Sequence, residues 1–191
     1  MEIRSFLAFE QPAEIRDILT EVSTVLRKSR LDARWVKPEN MHLTIHFLGN
    51  IPTESVHAME EPIRKLCLTT APFHISLRGM GCFPNSRNPR VLWIGLEGDL
   101  DRMGRLRDSL QDQMQAFGVK EEKRPFKPHL TLGRFRGASR AHRELEDILT
   151  QYRDLTGPVS TLRELILFKS DLKPGGAVYS KLKSWALTGS E

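Results

Sequence analysis

The strongest constraint on this 191-residue chain is a duplicated pattern. Met41-His42-Leu43-Thr44-Ile45-His46-Phe47-Leu48-Gly49 and Pro128-His129-Leu130-Thr131-Leu132-Gly133-Arg134 each set a His-Leu-Thr inside a short apolar run. In a strand, side chains alternate between faces. His42 then shares a face with Thr44, and His129 with Thr131, while Leu43, Ile45, Leu130 and Leu132 turn the other way. With six histidines and eleven threonines present, chance supplies about 0.35 His-x-Thr matches, so one copy would be a weak signal and a matched pair is a strong one.

The repeat extends past the motifs. The two histidines are 87 positions apart, and the same shift lays Ile3 to Glu10 on Arg90 to Glu97, both strand-like. The helical stretches at about 12–30 and about 99–117 overlap as well. This is an internal pseudo-repeat, about 3–79 and 90–169, within a single domain spanning 1–191.

Taken in order, Ile3 to Glu10 reads as a strand buried on both sides. Pro12 opens a helix to about Lys28, with Ile15, Ile18, Leu19, Val22, Val25 and Leu26 at helical spacing. The first motif strand, about 41–48, is expected to end at Gly49-Asn50. Thr53 is the expected N-cap of a second helix, in which Pro62 predicts a kink or restart. Phe73 to Arg78 is a third strand, and Gly79 to Pro89 is expected to be an inter-lobe crossover or a flexible loop. Arg90 to Glu97 is again a strand, followed by a helix from Asp99, its expected N-cap, to about Phe117, with Leu106, Leu110 and Met114 inward. Glu121 to Pro125 reads as a solvated charged turn. After the second motif, a helix begins at Ser139 or Arg140 and runs to about Tyr152. Val159 to Ser170 is expected to be one long strand, Asp171 to Gly176 a turn carried by Pro174-Gly175-Gly176, and Val178 to Leu187 the last strand.

Composition adds little beyond class. A chain with 39% hydrophobic and 28% charged residues is an ordinary globular protein, and its formal charge of +5 suits a polyanionic partner. Cys67 and Cys82 lack metal-ligand spacing and make no disulfide framework, which favours a reducing cytoplasm. The N-terminus lacks the apolar core of a signal peptide, and no run approaches the ~18 apolar residues of a membrane span.

Two imidazoles, each with a hydroxyl two residues on, suit phosphodiester cleavage. One neutral ring can take a proton from water while a charged one gives a proton to the leaving oxygen, and histidine titrates in the right range. Thr44 and Thr131 can hydrogen-bond non-bridging phosphate oxygens, and Arg134 can add a charge-assisted contact. Strict alternation puts Arg134 opposite His129, so a bulge or strand end at Gly133 is expected. Phe47, which the 87-residue shift aligns with Arg134, is either a base-stacking ring or a core Phe. The residues do not by themselves say which histidine is acid and which is base.

Together with Trp35-Val36-x-Pro38-Glu39-Asn40 before the first motif, Pro125-Phe126-x-Pro128 before the second, and the terminal Tyr179 to Leu187 stretch, these motifs resemble the RNA 2′,3′-cyclic phosphodiesterases of the 2H phosphoesterase superfamily, once called 2′-5′ RNA ligases. The resemblance covers nearly the whole chain. Alternating strands and helices alone would suggest parallel βαβ units. The resemblance instead implies an α+β, bilobal fold of two interleaved, pseudo-symmetric lobes, each a mainly antiparallel sheet flanked by helices, with the active-site cleft between them. It also implies His42 as proton donor to the 3′-oxygen, His129 as proton acceptor from water, and a 2′-phosphate product. Reversible 2′-5′ ligation is an implied side activity. The implied partner is RNA with a 2′,3′-cyclic phosphate end or a small cyclic nucleotide, handled without metal or cofactor; a monomer is the expectation, although the sequence does not give the oligomeric state.

Other candidates have plainer readings. His46 falls on the His42 face by alternation and makes an H-x-x-x-H, but in a strand-like run a partly buried supporting histidine is expected rather than a zinc ligand. His57, His74 and His142 read as surface or structural. Arg136, Arg140 and Arg143, with Lys181 and Lys183, make either a basic rim or solvated surface. Trp35, Trp93 and Trp185 read as core or interface anchors. The competing functional class is a non-catalytic nucleotide- or RNA-binding module, which both intact motifs argue against. A metal-dependent phosphoesterase would need a cluster of Asp, Glu and His near the motifs.

Overall fold

The computed structural model of the chain describes residues 1–137, 142–174 and 176–190. Its first half runs β1 (Glu2–Phe9), α1 (Ala13–Leu26), β2 (Ala33–Trp35), a 3-10 turn (Pro38–Asn40), β3 (Leu43–Pro52), α2 (Ser55–Thr69) and β4 (Phe73–Phe83). The second half runs β5 (Val91–Gly98), α3 (Leu100–Gln115), β6 (His129–Phe135), α4 (His142–Gln151), β7 (Ser160–Leu162), β8 (Glu164–Lys173) and β9 (Gly176–Ala186). The helix starts expected at Ser139 or Arg140 lie outside the described residues, as do Arg140 of the basic rim and Gly175 of the last turn.

Two sheets result, ordered β3-β1-β8-β9 and β2-β6-β5-β4-β7, and every named pairing is antiparallel. Parallel βαβ units are thereby ruled out in favour of the α+β bilobal fold. The halves exchange strands: β4 lies between β5 and β7, while β8 lies between β1 and β9.

Apolar spacing explains which faces meet. Helix α1 buries Ile15, Leu19, Val22 and Leu26, one side of a 3.6-residue helix. Helix α3 buries Met103, Leu106, Leu110 and Met114. These stripes join Leu7, Phe9, Leu43, Phe73, Ile75, Leu130 and Leu165 in one core reaching both sheets. Strand β1 is also buried on its other side, where Phe6 and Ala8 pack with Ile166 and Phe168 in a second, smaller cluster edged by Tyr179.

Several local expectations change. Strand β3 does not stop at Gly49-Asn50 but continues to Pro52, because Gly49, at φ +72°, absorbs a bulge without a side-chain penalty. Thr53 is not an N-cap; its hydroxyl donates to the Met1 carbonyl at 2.8 Å, and α2 starts at Ser55. That helix runs on through Pro62 with no restart. Gly79 to Pro89 is not an inter-lobe crossover, because β4 extends to Phe83 and the rest joins β4 to β5 within one sheet. The stretch from Val159 to Ser170 is two strands broken at Arg163: β7 adds to the second sheet and β8 to the first, so the chain's last change of sheet falls here. Asp99 does precede α3, but its carboxylate accepts from the His74 N–H (2.7 Å) and the Arg102 guanidinium (3.1 Å) rather than from a backbone N–H of the helix's first turn.

Candidate active site

Each motif strand carries a bulge at the same place in the repeat. In β3, Ala8 pairs with Thr44 and Leu7 with His46, so Ile45 is the extra residue. In β6, Trp93 pairs with Thr131 and Leu92 with Gly133, so Leu132 is extra. Both extra residues are apolar and buried, Ile45 at 3% and Leu132 at 1% exposure. A bulge resets alternation, and everything after it changes face. Arg134, paired with Val91, therefore shares a face with Thr131 and with His129, which stands opposite Gly95. The bulge expected at Gly133 exists one residue earlier. Likewise Phe47, paired with Phe6, shares the face of Thr44.

The same reset corrects the placement of His46. It pairs with Leu7 on the opposite face from Thr44 and sinks into the core at 2% exposure. It therefore cannot join His42 in a metal site. Burial, with the Arg107 guanidinium adding to it, pushes its pKa down to about 4.

Strands β3 and β6 belong to different sheets but approach each other with Cα atoms within 8 Å. The segment between β2 and β3 ties the two motifs together. Trp35 pairs with Gly133 and the Val36 N–H donates to the Leu132 carbonyl at 2.8 Å. Six residues later the chain, turned at Pro38–Asn40, delivers His42. The β8–β9 hairpin closes the same side, where Arg34 donates to the Pro174 carbonyl (2.9 Å) and Asn40 to that of Ala177 (3.4 Å).

His42 is half-buried in an aromatic setting. Its ring centroid lies 4.3 Å from Phe168, 5.3 Å from Tyr179 and 6.2 Å from Phe6. Burial lowers its pKa; the Glu10 carboxylate and the Asn40 carbonyl oppose this, and Lys181 adds to it. Nδ1 is buried and meets no acceptor at hydrogen-bonding geometry, although the Asn40 carbonyl is close enough to favour the charged ring. Glu10 is itself paired to Lys181 at 2.6 Å.

His129 is lined differently. Its Nδ1 lies 2.6 Å from the Lys127 carbonyl, which can only accept, so Nδ1 carries the proton and the neutral ring presents Nε2 bare. Burial lowers this pKa too; the Lys127 carbonyl opposes and Arg134 adds to the lowering. Phe83 meets the ring edge-on at 5.1 Å, and Trp93 lies at 6.4 Å. Trp93 is seated over Gly81, where a Cβ would come within 2.4 Å of the indole.

Thr44 and Thr131 are half-buried, and among the described residues neither hydroxyl bonds to a protein group. Phe47 is 57% exposed, 5.9 Å from Phe6, so it is not a core residue. Among the described residues no three His, Cys, Asp or Glu come close enough to hold a metal ion. A cavity of about 560 Å³ between α2 and α3, lined by Thr70, Arg102, Arg105 and Ser190 among others, shares no residue with the motifs.

Of the remaining candidates, His57 and the Lys183–Glu60 pair sit at the surface, Lys181 holds Glu10, and Arg136 pairs with Asp32. Sequence reasoning passed over Glu10, Phe6, Phe168, Phe83 and Lys127. One signal was present: Phe6 and Trp93, one behind each motif, are themselves 87 residues apart.

Comparison with known proteins agrees with this architecture. The family model for LigT-like phosphoesterases matches twice, over residues 10–93 and 94–179. An RNA 2′,3′-cyclic phosphodiesterase of Archaeoglobus fulgidus is 35% identical over 187 residues, covering 95% of this chain and 98% of its own length. One of Methanothermobacter thermautotrophicus is 30% identical, covering 98% of this chain and all of its own. Among solved structures, TT0787 of Thermus thermophilus superposes with a TM-score of 0.81 at 31% identity, covering 99% of this chain and 100% of its own. LigT of E. coli in complex with 3′-AMP gives 0.76 at 28% identity, with 98% and 99% covered. A family pattern matched in both halves, with relatives of 30% identity or more along nearly the whole length, makes this chain a member of the LigT-like phosphoesterase family.

Proposed function

We propose that the protein is an RNA 2′,3′-cyclic phosphodiesterase that opens 2′,3′-cyclic phosphates on RNA ends or nucleosides to 2′-phosphomonoesters, with reversible 2′-5′ ligation as the reverse-type side reaction. His129 Nε2 takes a proton from water as its oxygen attacks phosphorus, the P–O3′ bond breaks, and His42 gives its proton to the departing 3′-oxygen. Solvent exchange then restores both rings. Thr44, Thr131 and Arg134 hold the non-bridging oxygens, and Phe47 offers a face to a base. One domain of two interleaved lobes, about 3–79 and 90–169, supplies one half-site each.

The observation that carries the division of labour is the unequal setting of the two rings. Burial disfavours the charged form of both rings, but at His42 the Glu10 carboxylate opposes it, in the direction an acid requires. Arg134 favours the neutral form of His129, and the Lys127 carbonyl leaves Nε2 as the acceptor. No metal or cofactor is invoked, and the working unit is taken as a cytoplasmic monomer, in keeping with two free cysteines. No helix among the described residues is long and apolar enough to cross a membrane.

The test is turnover of nucleoside 2′,3′-cyclic phosphate in excess EDTA, with the product identified by NMR. A 2′-monophosphate is expected; a 3′-monophosphate refutes the polarity. Binding without turnover would mean a nucleotide-binding module instead.

A further inference from the structure

Resting on the reading just given, we infer that Arg34 is a substrate-selecting residue that, beside Arg134, takes a second phosphate, the one joined to the 5′-oxygen of the terminal nucleotide. Arg34 and Arg134 are direct register partners on β2 and β6. Opposed side chains of an antiparallel pair have Cβ atoms about 4.5–5.5 Å apart and share a face, and like charges placed so are destabilising. Both residues are exposed, and among the described residues neither guanidinium is in an ion pair, although Arg136 two positions on is paired with Asp32. Repulsion left uncompensated in the free protein is relieved by an anion.

Its position says which anion. The pair stands on the face of β6 that carries His129 and Thr131, and Arg34 is one strand further from β5 than Arg134. Arg134 faces the scissile phosphate in the proposed reaction, so Arg34 meets what lies next along the chain as it leaves the cleft. Its Nη2 is fixed on the Pro174 carbonyl, which orients the guanidinium and leaves its other N–H groups for a ligand. Single-stranded nucleic acid is held in this way, by cations tracking the backbone.

Three substrates with the same base test this: a nucleoside 2′,3′-cyclic phosphate with a free 5′-hydroxyl, the same with a 5′-phosphate, and a dinucleotide ending in the cyclic phosphate. Wild type is expected to show kcat/KM about tenfold higher on the second and third, through KM, since each bears the extra phosphate. Arg34→Gln is expected to lose about tenfold on these two and less than twofold on the first, and to flatten the log–log salt dependence on the dinucleotide by about 0.7. Arg34→Lys is expected to recover that salt slope. Equal losses on all three substrates, no loss on any, or a gain confined to the dinucleotide would overturn the inference. Wild type inert on all three would defeat the underlying reading, an outcome distinct from each of these.

Discussion

His74 and Thr161 are 87 residues apart, the interval that separates His42 from His129, and they are bonded neighbours: Thr161 Oγ1 lies 3.2 Å from His74 Nδ1 across the β4–β7 pairing. On either side Phe73 meets Leu162 and Ile75 meets Ser160, the exchange expected where a two-fold relating residue i to i + 87 passes between strands. Strand β4 comes from the first half yet pairs only with β5 and β7 of the second. A fragment of residues 1–89 would leave it without neighbours. Such a fragment is expected to be unfolded by circular dichroism while the whole chain melts in one transition.

Loss of either imidazole should cost catalysis far more than stability. His42→Ala and His129→Ala are each expected to lower kcat by roughly 10²–10⁴-fold. Steady-state assays on a cyclic nucleotide, with thermal melts alongside, check this. Wild-type rates from His129→Ala would remove the base from the mechanism.

The pH profile should respond to the charges beside the rings. Both pKa values are lowered by burial, so the bell of kcat/KM is expected to sit on the acid side of histidine's usual 6.5. Glu10→Gln removes the carboxylate that raises His42, so the alkaline limb should move to lower pH. Arg134→Gln removes the cation that lowers His129, so the acid limb should move to higher pH. Profiles on wild type and both variants decide it: an acid limb moved by Glu10→Gln, or an alkaline limb moved by Arg134→Gln, would reverse the assignment.

Acid should destabilise the fold through His46. Its pKa is about 4 in the folded protein against 6.5 ordinarily, so between those values the unfolded chain binds more protons. Stability is then retained above about pH 6.5 and lost as pH falls, by roughly 3 kcal/mol at pH 4 from this group. His46→Leu also removes a buried Nε2 that has no hydrogen-bond partner. Urea unfolding at pH 7.5 and 4.5 should show a smaller difference for that variant than for wild type.

Phe47 should matter to substrate and not to the fold. Being mostly exposed, its replacement by Ala should leave the melting temperature within a degree or so while raising KM for a purine substrate about tenfold, the lower part of the range for a base–aromatic stack. An unchanged KM would return it to plain surface.

The helical stripes were readable because helix periodicity is local: Leu106, Leu110 and Met114 are all buried on one side of α3. The motif strands and their histidines were readable for the same reason, as was the interval that pairs them. The face of His46 was not, because alternation in the sequence assumes an unbroken ladder, and the Ile45 bulge exists only relative to β1. The division at Arg163 was hidden for a similar reason, since strand-forming residues on either side of it look alike whichever sheet receives them.

By itself, then, the sequence determined that two His-Leu-Thr strands and two helical stripes recur at one spacing, since these depend on a residue and its near neighbours. Tertiary structure decided which strands pair, where the extra residues Ile45 and Leu132 sit, and hence that Phe47 and Arg134 turn to the face of Thr44 and Thr131. The reason is that a strand's register and partner are set by hydrogen bonds to segments distant in the chain, and one inserted residue reverses every side chain after it.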